Sequence, residues 1–156
     1  MQTIIISGFP GIGKSFLVKR NWNYFLLDSD SSNFSWEDID KKIRHKEWPE
    51  NYINHIKKNI NKVDIILVSS HDVVRESLVN NGIMFNLIYP DLSIKEEYIQ
   101  RFIDRGSNES FVNLLQSNYE LWINELMNQK NCEHFILQSG QYLSDVIDKL
   151  KLISVI

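Results

Sequence analysis

The residues best suited to chemistry stand near the start of the chain. Gly8-Phe9-Pro10-Gly11-Ile12-Gly13-Lys14-Ser15 has the spacing G-x-x-x-x-G-K-[ST]. Glycines there let the backbone wrap closely round an anion, so that successive N–H groups point at phosphate oxygens. Lys14 then has the reach for the β- and γ-phosphates of a nucleoside triphosphate, and the Ser15 hydroxyl is placed to ligate Mg²⁺. The context agrees. The β-branched run Thr3-Ile4-Ile5-Ile6-Ser7 precedes the motif, and the helix-compatible Phe16-Leu17-Val18-Lys19-Arg20 follows it. The expected nucleotide contacts are Gly8, Pro10, Gly11, Ile12, Gly13, Lys14, Ser15 and Phe16. A chance match in a tight loop is the alternative, and the flanking strand and helix argue against it.

Three further clusters carry ionisable groups. Asp28-Ser29-Asp30-Ser31-Ser32 follows a second apolar run, Tyr24-Phe25-Leu26-Leu27. These acids could hold Mg²⁺ through water, orient an acceptor, or take a proton from its hydroxyl. Asp28 is assigned to metal and acceptor, and Asp30 to acceptor and proton; a polar turn is the plain alternative. Val68-Ser69-Ser70-His71 closes a third run without an acid, since Asp64 lies at its beginning. Arg75, one turn on, could grip a phosphate of donor or acceptor, or pair with Glu76 or Glu109. His71 reads as a helix cap or structural hydrogen-bonding group. Arg101 and Arg105 are four apart, on one helical face before Gly106 and the polar Ser107-Asn108-Glu109-Ser110. On a closing lid they would stabilise the charge of a phosphoryl group in transfer. A solvated face paired with Glu97 and Asp104 is the alternative.

These residues need a scaffold. Strands are expected at 3–7, 24–28, 63–69, 83–89 and 133–137, the last being the weakest pattern. Helices are expected after the glycine motif, from Ser35 with its acid three residues on, and after Pro49, where Tyr52, Ile53, Ile56 and Ile60 share a face. Others run from Asp72 to Asn80 and from Ser93 to Gly106. A long helix then bears Phe111, Leu114, Leu115, Trp122 and Leu126, a stripe that reads as core, as do nearly all of the tryptophans Trp22, Trp36, Trp48 and Trp122. Alternating strands and helices imply a parallel sheet covered on both faces, with ligands at the strands' carboxyl ends.

Composition bounds the partners. With 156 residues the chain suits one domain, and 43% apolar with 24% charged residues argues against disorder. A formal charge of −3 gives no basic field for a nucleic-acid backbone, so nucleic acid is not an expected partner. The single cysteine, Cys132, permits no internal disulfide. No apolar run approaches membrane-spanning length, and the N-terminal residues read as a strand rather than a leader. A cytoplasmic monomer or homodimer is expected.

In the order of its parts the chain resembles the small P-loop kinases, the nucleoside monophosphate kinase group with its gluconate- and shikimate-kinase relatives. The resemblance rests on Gly8–Ser15, on Asp28 and Asp30 after the second strand, on Arg75 after the third, and on Arg101 and Arg105 before a polar loop. It implies a single P-loop NTPase domain over 1–156, three-layer α/β/α, with a five-stranded parallel sheet in order 2-3-1-4-5. It also implies a short lid at about 101–112 and an acceptor-binding segment at about 31–62. The chain departs from the group in two places. It lacks a lid cysteine quartet, and Ser69-Ser70-His71 stands where adenylate kinases carry Asp-Gly-x-Pro-Arg. The expected activity is Mg²⁺-dependent transfer of the γ-phosphoryl group of ATP to a nucleoside monophosphate or nucleoside. Phe34 or Trp36 would stack on the base, and Lys41, Lys42, Arg44 and Arg75 would surround the acceptor phosphate. The alternatives are a kinase for the hydroxyl of a small metabolite, and a nucleotide-binding regulatory protein with little turnover.

Overall fold

The computed structural model describes residues 2–20 and 24–155; Trp22 lies outside them. Five strands form one all-parallel sheet: β1 (Ile4–Gly8), β2 (Leu26–Asp28), β3 (Ile65–Ser69), β4 (Asn86–Pro90) and β5 (Glu133–Leu137), in the order β2-β3-β1-β4-β5. The expected strand order is therefore found. Ile4 pairs with Ile65 and Ile6 with Asn86, so β1 is flanked on both sides. That is why its sequence is a continuous β-branched run: both faces are covered, and every residue of β1 is buried. Burying Ile4, Ile5 and Ile6 contributes about 1.5–3 kcal/mol each.

Seven helices connect the strands among the described residues: α1 (Lys14–Lys19), α2 (Ser32–Ser35), α3 (Glu50–Asn59), α4 (Asp72–Asn80), α5 (Lys95–Asp104), α6 (Glu109–Met127) and α7 (Leu143–Val155). Right-handed crossovers put α1 on one face of the sheet and α3, α4 and α6 on the other, while α7 packs on α1 and β1. The connection leaving β1 thus departs to the face opposite those leaving β3 and β4. Their carboxyl ends diverge and leave a crevice, the topological position at which open α/β sheets bind ligands.

Two helical expectations change. The helix placed from Ser35 onward is the single turn α2, which ends there. The residues after it form an antiparallel bridge of Trp36 with Arg44 instead, with Asp38 Oδ1 accepting from the N–H groups of Lys42 and Ile43 at 3.0 and 2.9 Å. An Asp that satisfies turn amides with its side chain competes with the helix it was expected to begin. The stripe on α6 also divides. Leu115 and Leu126 join Tyr119 and Ile123 in the core, whereas Leu114 is 51% exposed. Among the other tryptophans, Trp48 packs against the core and stacks on Tyr52, and Trp36 holds Arg44. No helix among the described residues is long and apolar enough to cross a membrane.

Candidate functional site

The glycine loop runs from the end of β1 into α1. Its apolar members are anchors: Ile12 is fully buried, and Phe9 lies edge-on to Tyr98 and Tyr119 with ring centroids 6.1 Å away in each case. Gly11 and Gly13 have φ of +87° and +96°, the left-handed region that side chains rarely adopt. A Cβ on Gly13 would also stand 3.2 Å from Tyr142 Cδ1, and one on Gly11 3.0 Å from Phe102 Cε2. Conformation and space both require glycine. Because Gly13 occupies the N-cap of α1, no side chain caps the first amides of that helix, and they remain open to the crevice.

Over this loop lies a cleft of about 700 Å³, whose walls include the loop itself, Ser69 to His71, Arg101, Arg105 and Tyr142. Lys14 Nζ donates to Gly8 O at 2.9 Å, across its own loop. Burial pulls the Lys14 ammonium below its ordinary range, while the nearby Asp28 and Asp30 carboxylates push it back up. Phe16 stands exposed on the cleft wall. Of the expected nucleotide contacts, Ile12 alone turns its side chain away into the core and offers only backbone.

Arg101 is placed as a clamp. Its guanidinium donates to Gly11 O at 2.9 Å, Gln141 O at 3.1 Å and Glu97 Oε2 at 3.0 Å, and sits 4.3 Å over the ring of Tyr98 and 3.9 Å over that of Tyr142. Glu97 in turn accepts from Ser139 Oγ at 2.6 Å and Gly140 N at 3.1 Å. The Ser139 hydroxyl holds the Glu97 carboxyl below its ordinary range, with smaller help from the Gly140 amide and Arg101. One guanidinium thereby ties the glycine loop to α5 and to the β5–α7 connection. Arg105 differs. It is exposed, and its guanidinium lies 5.1 Å over the Phe102 ring on the cleft wall. The expected lid is the last turn of α5, a turn at Gly106, and the start of α6, where Asn108 Oδ1 caps Phe111 N at 2.7 Å.

On the other side of Lys14 a smaller hollow of about 240 Å³ is walled by Lys14, Ser15, Asp28, Asp30 and Ser69. Both carboxylates are exposed there, and Asp30 Oδ1 accepts from Ser32 N at 2.9 Å. Ser29 between them is buried, with its hydroxyl 2.9 Å from His55 Nε2 and its carbonyl accepting from Tyr52 Oη at 2.5 Å. That anchor alternates the side chains so that Asp28 and Asp30 both reach the hollow. Ser69 Oγ is buried without a hydrogen-bond partner among the described residues. An orphaned hydroxyl beside two carboxylates and Ser15 fits a hard cation that takes few protein oxygens and keeps several waters, as Mg²⁺ does.

The remaining expected acceptor residues separate. Phe34 is tucked against Tyr52 and His55 at centroid distances of 5.2 and 4.7 Å. Trp36 and Arg44 hold each other, the guanidinium 4.1 Å over the indole. None of the three lines the cleft or the hollow. Arg75 is 7% exposed and pairs with neither Glu76 nor Glu109. Its Nε donates to Ser70 O at 2.8 Å and its Nη1 to Gln129 Oε1 at 2.5 Å. His71 occupies the N-cap of α4 but makes no side-chain cap, and stands exposed on the cleft wall, so the capping role expected of it is not found. Sequence reading missed Tyr142; Glu97 it offered as a partner of Arg101, and that pair is found, while Ser69 it placed at the end of the third strand without marking its hydroxyl. For Tyr142 a signal existed, since Ser139-Gly140 follows a strand's carboxyl end; Ser69 looks like any strand serine until its hydroxyl proves unpartnered. No family model matches the chain, and no curated protein matches it.

Proposed function

We propose that the chain is a P-loop phosphotransferase that moves the γ-phosphoryl group of ATP to a hydroxyl of a small acceptor. The observation that carries this reading is the position of Lys14. It stands between a large cleft bounded by two arginines and an aromatic ring, and a hollow bearing two carboxylates. The first suits a triphosphate, with loop amides, Lys14 and Arg105 meeting its charge. The second suits the acceptor's hydroxyl, which must lose a proton on transfer. In that step the acceptor oxygen forms a bond to the γ-phosphorus, the bond from that phosphorus to the bridging oxygen breaks, ADP leaves, and Asp30 takes the hydroxyl proton. Ser15, Asp28 and Ser69 would hold Mg²⁺, which when bound neutralises charge on the β- and γ-phosphate oxygens. Arg101 holds the glycine loop in shape rather than reaching into the cleft freely.

A hydroxyl acceptor is preferred to an acceptor phosphate because the aromatic and basic residues that favoured a nucleotide, Phe34, Trp36 and Arg44, are occupied with one another or with α3. One observation favours a second reading, a nucleotide-binding protein with little turnover: β3 ends on Ser69 where an acid would hold the metal more firmly.

The deciding experiment is a coupled ADP-release assay with Mg-ATP against nucleosides, nucleoside monophosphates, sugar acids and aromatic alcohols. Acceptor-dependent ADP that Lys14→Ala abolishes is the expected result. ATP binding without acceptor-dependent turnover across the panel would leave the binding-protein reading in its place.

A further inference from the structure

A second cavity of about 430 Å³ adjoins the phosphate cleft and shares Pro10, Ser70 and His71 with it. Its apolar wall is made by Phe9, Phe111, Leu114, Leu115, Trp122 and Leu126, from the glycine loop and α6. This is the α6 stripe that the sequence presents as core. The volume lies in the range of small-molecule sites, which are mostly apolar with a few placed polar groups. The polar group most unlike core is Arg75. Arg75 as a whole residue is only 7% exposed, and it lines this cavity.

The partners of Arg75 are neutral: the Ser70 carbonyl and the Gln129 side-chain amide. Among the described residues the guanidinium enters no ion pair, the salt bridges being Lys95–Glu120 and Arg101–Glu97. Its Nη2 is left open to water, since the buried side-chain polar atoms without a partner among those residues are Ser69 Oγ and Tyr98 Oη. A buried charge without a counter-ion is costly to keep. A ligand that brings an anion removes that cost, and the planar fork suits carboxylate or phosphate. Asp72 and Glu125 also line the cavity, but both are exposed. Hydrated carboxylates are screened by water and salt, so Arg75, much the more deeply buried of the three, sets the sign of the preferred ligand.

We infer that this cavity binds a small molecule with a flat apolar body and one carboxylate or phosphate group, the anion on Arg75 and the body against Phe111 and Trp122. Resting on the phosphotransferase reading, it is the seat of the acceptor's body, whose hydroxyl arm extends past the shared wall of Ser70 and His71 and over Lys14 into the hollow, where the γ-phosphate and Asp30 meet it. The segment 31–62 then carries Tyr52 and His55, which anchor Ser29 between the two carboxylates, and not the acceptor's body.

Binding is measured first, by calorimetry on the full chain with a non-hydrolysable ATP analogue present. The probes are para-hydroxymethyl-benzoate, para-hydroxymethyl-phenyl phosphate, benzenedimethanol and para-hydroxymethyl-benzylamine. The two anionic probes should bind more tightly than the uncharged diol, and whichever of them binds better tells carboxylate from phosphate. Arg75→Met, which keeps bulk and removes charge, should weaken the anions by about tenfold to a hundredfold and leave the diol unchanged. Should that variant fail to fold, Leu114→Trp at the exposed mouth should weaken every probe. Equal affinity for anion and diol, tighter binding of the amine, or anion binding indifferent to both substitutions would overturn the inference. ADP release with the same probes separates the two readings: probe binding that depends on Arg75 but yields no ADP keeps the site and sinks the kinase.

Discussion

The cleft over the glycine loop and the cavity beneath α6 share three residues, yet they differ in their materials. The cleft joins backbone amides, hydroxyls and three cations to the rings of Phe16, Phe102 and Tyr142. The cavity is walled by aromatic and aliphatic side chains from the glycine loop and α6, with α4 contributing its polar edge. In the proposed function the first takes an anion whose shape hardly varies, and the second a body whose shape the side chains choose. A site divided in this way would hold its donor chemistry constant while its acceptor preference depended on a few residues such as Leu114 and Trp122.

The largest expected effect breaks the cleft and spares the cavity. Lys14→Ala should lower kcat by about a thousandfold, the scale of losing one charge-stabilising donor at the reacting group. Probe binding at Arg75 should survive it, because Lys14 does not line that cavity. Single-turnover ADP formation beside calorimetry of the acceptor probes checks both halves. Loss of both together would mean that the two spaces are one site with one fate.

Next in size is the carboxylate. Asp30→Asn retains an oxygen to accept from Ser32 N, so the loop should keep its shape. Removing the proton acceptor should cost about 10²-fold in kcat, the lower end for a lost general base, with ATP affinity unchanged. Asp28→Asn should act differently, raising the Mg²⁺ concentration needed for half-maximal rate. If both variants shift the Mg²⁺ requirement and neither the rate at saturating Mg²⁺, the hollow serves metal alone.

What the sequence made legible follows this same division. A phosphate loop is local: its glycines, lysine and serine are neighbours in the chain, and their spacing is the geometry. Gly11 and Gly13 could be read directly because only glycine tolerates those dihedrals beside Phe102 and Tyr142. Alternation alone made a parallel sheet legible, whereas its strand order was expected only from the resemblance to the small P-loop kinases. The cavity was not, because its walls meet only after folding, and an apolar stripe looks the same whether it faces a core or an opening. Arg75 was legible as a cation that could grip a phosphate or pair with an acid; that its partners would be neutral was not, since Gln129 lies 54 residues away in sequence.

Arg101 and Arg105 offer a finer comparison. Arg101→Met removes bonds to Gly11, Gln141 and Glu97 together, and should lower stability by about 1–3 kcal/mol as well as activity. Arg105→Met should leave stability within about 0.5 kcal/mol, since Arg105 is exposed, but should reduce kcat. Urea denaturation of both variants beside their rates tells clamp from reacting group. Equal stability losses would place Arg105 in the scaffold too.

The smallest effect tests how dry the loop is around Lys14. Burial lowers the pKa of that ammonium from its ordinary 10.5, against the opposing pull of Asp28 and Asp30. The unfolded chain therefore holds the proton to higher pH than the folded one. Between the lowered folded value and 10.5 the unfolded state binds more protons, so the Lys14 contribution makes stability rise with pH across that window. Lys14→Met lacks the titration and retains the bulk. Without nucleotide, the stability of the parent relative to this variant should rise as pH is raised from 7 towards 10, measured by urea denaturation at each pH. A difference that stays level would mean that water reaches Lys14 in the resting cleft. A difference that falls would mean that the two carboxylates outweigh burial, and that the hollow and the cleft compete for this one charge.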